Sequence, residues 1–523
     1  MNNILSILIF LPLILSFPIF FFKKEKETLI KSYAFVISLI PLAIATYLFF
    51  AFDPANSDYQ FVEKTKWISM TNTYYFLGID GISMLLIVMS AFMFPLSILA
   101  SWTSIKENLK QFYFLLLLLD VSLIGVFASL DLILFYIFWE FILIPMYFII
   151  GVWGAEDRIY ATVKFFLYTM FGSLLMLIGI IWLSFLCVPL IGEFTTDLTK
   201  LTTIAFSLPP DKQVYLFILF TLSFLIKVPL FPFHTWLPDA HVQAPTAGSV
   251  ILAAVLLKMG TYGLIRFSLP LFPAAFIKLT PYIATLAVIG IVYGALLSIV
   301  QKDIKKLVAY SSVSHLGFIV LGTFALTDVA LQGSIIQMIN HGLSTGALFM
   351  IVGVLYERRH TKKIADFGGI MKVMPVFSVI FMIVVFSSIG LPGLNGFVGE
   401  FLILLGSFYS TNLGTNAYSI ISTSAVILAA IYLLWMFQRV MLGPIDNEKN
   451  KELQDLTKRE VLSFIPIIIF IVWIGVHPNT FLSKTESSVK RIINNFQVSK
   501  NKLGLNNDIE IEIENKLAES DKK

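Results

Sequence analysis

The sequence predicts an all-α polytopic membrane protein with about fourteen transmembrane helices, arranged around two inverted five-helix repeats in which helices 7 and 12 are discontinuous. Composition is the first ground for this. Of 523 residues, 57% are hydrophobic and only 13% charged, with a mean hydropathy of +0.85, against about 25% charged in a soluble domain. The second ground is a succession of apolar blocks near the ~20 residues one bilayer crossing needs. The third is a pair of proline- and glycine-broken blocks at matching places in the chain.

In order, the expected spans are 3–22, 30–51, 76–101, 112–130, 131–152, 161–188, 213–238, 244–268, 279–300, 304–325, 332–355, 373–410 (interrupted), 418–442 and 461–477. No strands are expected. The first span does not read as a signal peptide: no basic residue precedes it, no small-residue cleavage site ends it, and Lys23, Lys24 and Lys26 follow it. The single Cys187 excludes a disulfide framework and an all-cysteine iron–sulfur or zinc site.

Charge gives the orientation. Loops on one side hold 21 Lys and Arg, in clusters at Lys23–Lys31, Lys106–Lys110, Arg158–Lys164, Lys302–Lys306, Arg358–Lys372 and Arg439–Arg459. The other side holds six: Lys64, Lys66, Lys200, Lys212, Arg266 and Lys278. The positive-inside rule places the rich side in the cytoplasm, which leaves both termini on the non-cytoplasmic side. Arg266, near a helix end, reads as an interfacial anchor.

The division of the chain follows: 1–111, three N-terminal helices; 112–268, the first repeat (spans 4–8); 279–442, the second (spans 9–13); 443–480, a cytoplasmic loop and the last helix; and 481–523, a charged tail. In the tail, Val489, Ile492, Ile493 and Phe496 have helical spacing. An amphipathic helix on a membrane or partner is one reading. A solvated extension is the preferred one, and the stretch ending LAESDKK reads as loose.

The breaks are IKVPLFPFHTWLPDAH, with Pro229, Pro232 and Pro238, and SSIGLPGLNGFVGEF, with Pro392, Gly393, Gly396 and Gly399. Proline removes a donor and clashes with the preceding turn. In lipid the freed groups need protein or water, so broken helices line cavities. Pro229 lies 117 residues after the fourth span begins and Pro392 lies 113 after the ninth. Each break is thus in the fourth helix of a five-helix unit. Odd-numbered units sit in opposite orientations, a transporter architecture with ions handled near the midplane.

Six ionisable residues lie deep inside spans: Glu140, Lys227, Lys258, His315, His341 and Glu400. Each mid-membrane charge costs roughly 2.5–3.5 kcal/mol on insertion scales, so a series reads as a proton pathway. Desolvation disfavours the charged forms of Glu140 and Lys227 while mutual attraction favours them. A pair made and broken would therefore move the lysine between charged and neutral states. Lysine suits the task because arginine does not give up its proton. His315 and His341 read as relays; with no HxxxH spacing a metal site is rejected. Glu400, beside the glycine-rich break, reads as the terminal donor or acceptor. Asp120 and Asp131 read equally as structural or as feeding the path. Asp239 and His241 form a candidate entrance, and His234 either joins them or caps the helix break.

KVPLFPFHTWLPDAHVQAPTAGSVILAAVLLKMGTYGLIRF, from Lys227 onward, resembles the most characteristic motif of the antiporter-like subunits of respiratory complex I. FWEFILIPMYFIIGVWG, AYSSVSHLGFI, INHGLSTGALFM and GLPGLNGFVGEF resemble the same family, over nearly the whole chain. The resemblance implies a proton-translocating membrane-arm subunit. It makes Glu140 and Lys227 the coupled pair, Lys258, His315 and His341 the central hydrated axis, and Glu400 the exit residue where sister subunits typically carry lysine. It further implies no cofactor in this chain, with FMN, iron–sulfur clusters and NADH confined to partner subunits. Other membrane subunits, especially the L- and N-type antiporter-like chains, and lipids are the expected partners, and no nucleic acid. The bacterial inner membrane is the expected location, the mitochondrial inner membrane the alternative. The charged tail departs from the family pattern. Rival readings are a subunit of a multi-chain Na+/H+ antiporter or membrane-bound hydrogenase, a solitary solute carrier, and a scaffold.

Overall fold

Buried backbone groups in a bilayer must be satisfied within the protein, so the chain folds as helices through the apolar blocks. A computed structural model describes residues 3–504. Its elements are α1 (Ile4–Phe21), α2 (Glu27–Ala51), β1 (Gln60–Ile68), β2 (Thr73–Ile79), α3 (Gly81–Ala100), α4 (Leu109–Ala128), α5 (Leu132–Trp153), α6 (Arg158–Ile191), α7 (Pro210–Lys227), α8 (Trp236–Gln243), α9 (Thr246–Leu271), α10 (Pro273–Ile299), α11 (Ile304–Ala325), α12 (Asp328–Arg359), α13 (Pro375–Ser388), α14 (Asn395–Phe408), α15 (Ala417–Met441), α16 (Lys458–Val476) and α17 (Asn479–Lys502). Among the described residues, twelve of these helices are long and apolar enough to cross a membrane, and the interrupted pairs α7–α8 and α13–α14 stand beside them.

The expectation of no strands is corrected by the hairpin β1–β2, antiparallel with Gln60 opposite Ile79 and Lys66 opposite Tyr74. Residues 76–79, expected to open the third helix, belong to β2. Its apolar run merges with that of α3 in the sequence, so hydropathy does not mark the boundary. Asp80 does: its carboxylate accepts from the Ile82 and Ser83 amides, a capping box that starts the helix at Gly81.

The helices sort into an inner and an outer set. The apolar windows of α9 and α12 are wholly buried and those of α3, α4 and α11 nearly so, whereas only 33–39% of the windows of α1, α2, α6, α15 and α16 is buried. Asp120, Lys258, His315 and His341 all lie on inner helices. The exposed faces are large apolar side chains such as Phe50, Phe171 and Ile427, as lipid or neighbouring subunits require.

Both broken helices follow one pattern. After α7, the Val228 amide donates to Phe224 O and Leu230 to Leu225 O; after α13, Ile389 donates to Val385 O and Leu391 to Phe386 O. Corresponding residues are 161 apart, and each break ends in a five-residue loop-back bond of 2.9 or 3.1 Å. The indole of Trp236 donates to Ile226 O (2.9 Å), satisfying a carbonyl that the break frees. Close packing fixes both breaks against their neighbours. A Cβ on Gly260 would stand 2.6 Å from Phe224 O, so glycine lets α9 touch the end of α7; Gly399 likewise meets Gln337 of α12.

The preferred reading of the tail is corrected over its described part. Asn479–Lys502 is a helix with Val489, Ile492 and Phe496 buried against the protein's own surface, Ile493 only partly so. Phe496 meets the Phe276 ring edge-on at 5.6 Å. Ser488 Oγ accepts from the Gly81 amide (3.0 Å), and Lys484 Nζ donates to Phe52 O (3.2 Å). The apolar stripe is therefore covered from inside the molecule. The LAESDKK stretch lies outside the described residues.

Arg266 is corrected as well. It is buried in α9, not interfacial, and its guanidinium donates to Asp80 Oδ1 at 2.6 Å and to the Tyr59 and Tyr262 hydroxyls. Arg491 of α17 donates to the other Asp80 oxygen at 3.2 Å. Burial alone would raise the Asp80 carboxyl, but Arg266, Arg491 and the Ser83 amide together outweigh it and hold it down to about 2. A sequence reading counts Arg266 from the nearest helix end and cannot see the carboxylate that β2 delivers beside it.

Candidate functional site

Lys258 sits between two π-helical turns of α9, Leu252–Leu256 and Leu264–Ser268, distortions that rotate side chains off the regular helical register. Its Nζ lies 2.6 Å from His341 Nδ1 and also donates to Ala253 O. The His341 ring lies edge-on to that of His315, centroids 5.8 Å apart. His315 Nδ1 and Glu400 Oε1 share a hydrogen bond of 2.8 Å, and Gln337 Nε2 donates to the same oxygen at 3.2 Å. Four of the six residues singled out from the sequence thus form one line across α9, α12, α11 and α14, each less than a tenth exposed.

Around the Glu400 end, a void of about 10 Å³ is lined by His315, Gln337, Asn340, His341, Ser344, Ser387 and Gly396 among others. That is close to the least space one water needs, and the lining offers it several polar partners. Asn340 Nδ2 donates to Asn395 O (2.7 Å), and Ser387 Oγ to Asn395 Oδ1 (2.5 Å), tying α12 and the end of α13 to the start of α14. Gln337, Asn340 and Ser344 escaped the sequence reading. The signal was present: with His341 they mark one helical face at i, i+3, i+4 and i+7.

Lys227 ends α7 and is buried with no hydrogen-bond partner for its Nζ. The ammonium faces the Trp139 ring at 5.2 Å and the Phe165 ring at 5.9 Å. Glu140, next to Trp139, is half-buried, with Oε1 unpartnered and Ser173 within reach. The two residues act on each other electrostatically without forming a direct ion pair.

The remaining candidates separate. Asp131 caps α5: its carboxylate accepts from the Ile133, Leu134 and Tyr74 amides and from Thr196 Oγ1, leaving little free. Asp120 is fully buried in α4 with neither oxygen bonded. Asp239 pairs with Lys164 of α6 at 2.6 Å. His234 packs among Phe231, Tyr293 and Tyr310. His241 stacks on Phe349 of α12 at 4.3 Å, and neither ring nitrogen has a partner.

Broken helices beside a buried line of acid, amine and imidazole groups define an antiporter-like membrane subunit. Residues 129–441 match the family described as NADH:quinone oxidoreductase/Mrp antiporter, and residues 5–126 match NADH-ubiquinone oxidoreductase chain 4, amino terminus. NADH-quinone oxidoreductase subunit M of Rickettsia prowazekii (strain Madrid E) is 44% identical over 496 residues, covering 94% of this chain and 99% of that one. NADH-ubiquinone oxidoreductase chain 4 of Marchantia polymorpha is 42% identical over 490 residues, covering 94% and 97%. A chain of respiratory complex I from Thermus thermophilus with bound NADH superposes with a TM-score of 0.84 at 28% identity, over 94% of this chain and 99% of that one. A chain of the Mrp complex from Dietzia sp. DQ12-45-1b shares the fold, with a TM-score of 0.81 at 16% identity over 95% and 99%. The chain belongs to the family of subunit M and mitochondrial chain 4 of NADH-quinone oxidoreductase.

Proposed function

We propose that this chain is a proton-translocating membrane-arm subunit of an NADH-quinone oxidoreductase, and that protons move along Lys258, His341, His315 and Glu400. The observation that carries the reading is the 2.6 Å Lys258–His341 contact continued by the 2.8 Å His315–Glu400 bond in one buried line. The two outer junctions each join a donor to a group with a lone pair, while His341 and His315 stand edge-on at 5.8 Å between ring centroids with no hydrogen bond between them, so a proton entering at one end can leave at the other once that middle step is bridged. Lys227 and Glu140 form the coupling element. A shift in the charge near Glu140 changes the field at Lys227, whose ammonium has only aromatic faces for company.

The chemistry of electron transfer belongs to partners: NADH, FMN and iron–sulfur clusters in other subunits, with L- and N-type chains as membrane neighbours. We place the lysine-rich face in the cytoplasm of a bacterium, or the matrix of a mitochondrion, and both termini on the opposite side. The matching break geometry supports two inverted units, 112–268 and 279–442, within about fourteen crossings. High identity to complex I chains along nearly the full length favours this assignment over the Na+/H+ antiporter and hydrogenase readings.

Replacing Lys227 by Ala, or Glu140 by Gln, in the assembled complex tests the reading. Pumping should fall strongly while NADH-oxidising subunits still copurify with the chain. A normal ratio of protons to electrons in both variants refutes the coupling role.

A further inference from the structure

A cavity of about 150 Å³ opens on the lysine-rich face, between the α5–α6 turn, the end of α8 and the last turns of α12. Trp153, Gln243, Thr246, Tyr356 and Glu357 line it, and Lys305 and Lys362 reach into it. Lys305 is counted with the loop lysines in the sequence, yet it lies in the first turn of α11 and is only 6% exposed. Among the described residues no carboxylate forms an ion pair with it: its Nζ donates to the Ala244 carbonyl at 2.6 Å. Ala244 is one turn beyond His241, the stacked histidine with two unbonded ring nitrogens. His241 is within electrostatic reach of Lys305 on one side and of Lys258 on the other.

Resting on the proton-axis reading above, we propose that Lys305 is the proton-entry residue of the lysine-rich face, handing protons from the cavity to His241 and so to the Lys258–His341 pair. No hydrogen bond joins the two side chains, so the transfer runs through a bridging water: the Lys305 ammonium gives one N–H proton to that water, which gives one of its own to a ring-nitrogen lone pair of His241, and Lys305 is left as the amine. The amine then takes a proton from water in the cavity, and the hydroxide left behind passes out to the solvent on that face, which thereby loses one proton. His241 passes its proton inward and returns to neutral. Charge is conserved at every step, and no group other than water is needed as donor.

The competing account is a helix cap. Lys305 at Ala244 O and Lys362 at Val242 O (2.7 Å) both satisfy final carbonyls of α8, where cations are favoured by the helix dipole. The two accounts part at arginine. A cap needs a fixed cation with donors, which arginine supplies; a carrier must release its proton, which arginine does not. Loss of Lys305 leaves α8 held by Lys362 and by the Ala155 amide on Gln243 O (2.9 Å), so the half-helix keeps its other anchors.

The test is proton pumping by the whole complex in membrane vesicles carrying Lys305→Arg, Lys305→Ala or Lys258→Ala, with uncoupled NADH oxidation as the measure of assembly. The expected result is a fall in coupled pumping of roughly a hundredfold for both Lys305 variants, the lower end for a lost acid–base group. If Lys305→Arg pumps like the parent while Lys258→Ala does not, Lys305 is a cap and the inference falls alone. If Lys258→Ala also pumps normally, the axis falls with it. Should the arginine variant not assemble, Lys305→Gln keeps a donor for the Ala244 carbonyl, and full pumping by that variant overturns the proposal in the same way.

Discussion

Lys258 Nζ and His341 Nδ1 lie 2.6 Å apart in a buried setting, too close for both to carry a proton toward the other. Two unit positive charges at that separation repel by about 6 kcal/mol even at an effective dielectric of 20. At most one of the two is therefore charged at a time, so a second proton reaching the pair displaces the first. Lys258→Met should cut coupled turnover by roughly 10²-fold, as loss of an acid–base group does. Lys258→Arg should not restore it, because arginine keeps its proton. Generation of the membrane potential by reconstituted complex is the measurement, and rescue by arginine would show that only charge is needed.

Trp139 holds Lys227 through its ring face, and it directly precedes Glu140. A cation–π contact is worth about 0.5–2 kcal/mol, the upper end where it is desolvated. Trp139→Leu keeps the volume apolar and removes the ring, so it should slow coupled turnover by roughly 2–30-fold without blocking assembly. An unchanged rate would mean that the indole merely fills space.

Asp80 joins two arginines, one from α9 and one from α17. Asp80→Ala strands the buried Arg266 guanidinium, while the partly exposed Arg491 keeps Asp58 at 4.0 Å; breaking a buried pair in this way costs about 3–5 kcal/mol. Thermal unfolding of the solubilised complex should register the loss. The pH dependence has a definite sign. The folded carboxyl, near 2, lies below its ordinary 3.8, so its stabilisation is fully present above 3.8 and is lost only as pH falls through about 2. Stability contributed by this cluster should therefore be flat through the neutral range, and a drop near pH 6 that disappears in Asp80→Ala would contradict the assignment.

Gly81 is where α17 lies closest: a Cβ there would stand 1.9 Å from Lys484 O. Gly81→Val should push the terminal helix off its seat at a cost of about 1–3 kcal/mol, the usual price of overpacking. Limited proteolysis should then cut within 479–502 faster than in the parent. Equal protection would show that the helix is held elsewhere.

Hydropathy made the helices legible because a 20-residue apolar run has only one use in this composition. The six ionisable groups within those runs were equally legible, since a charge there is costly and rare. The junctions were hidden for physical reasons. β2 and α3 share one apolar stretch, and only the Asp80 capping box separates them. Arg266 and Lys305 look like interfacial residues by position, but tertiary partners far along the chain bury them. The tail helix shows its stripe in the sequence, while the surface that covers the stripe is made by α3 and by residues near Phe276. The sequence also pairs Glu140 with Lys227 through mutual attraction, whereas the side chains place an indole beside the ammonium and no direct ion pair between the two.

The most direct test is the number of protons moved per electron by purified, reconstituted complex carrying Glu400→Gln. Glutamine keeps the shape and can still bond His315 and Gln337, so the helices should stay in place. The account predicts a lower proton yield with NADH oxidation intact when the membrane is made leaky. A yield equal to that of the parent would contradict it.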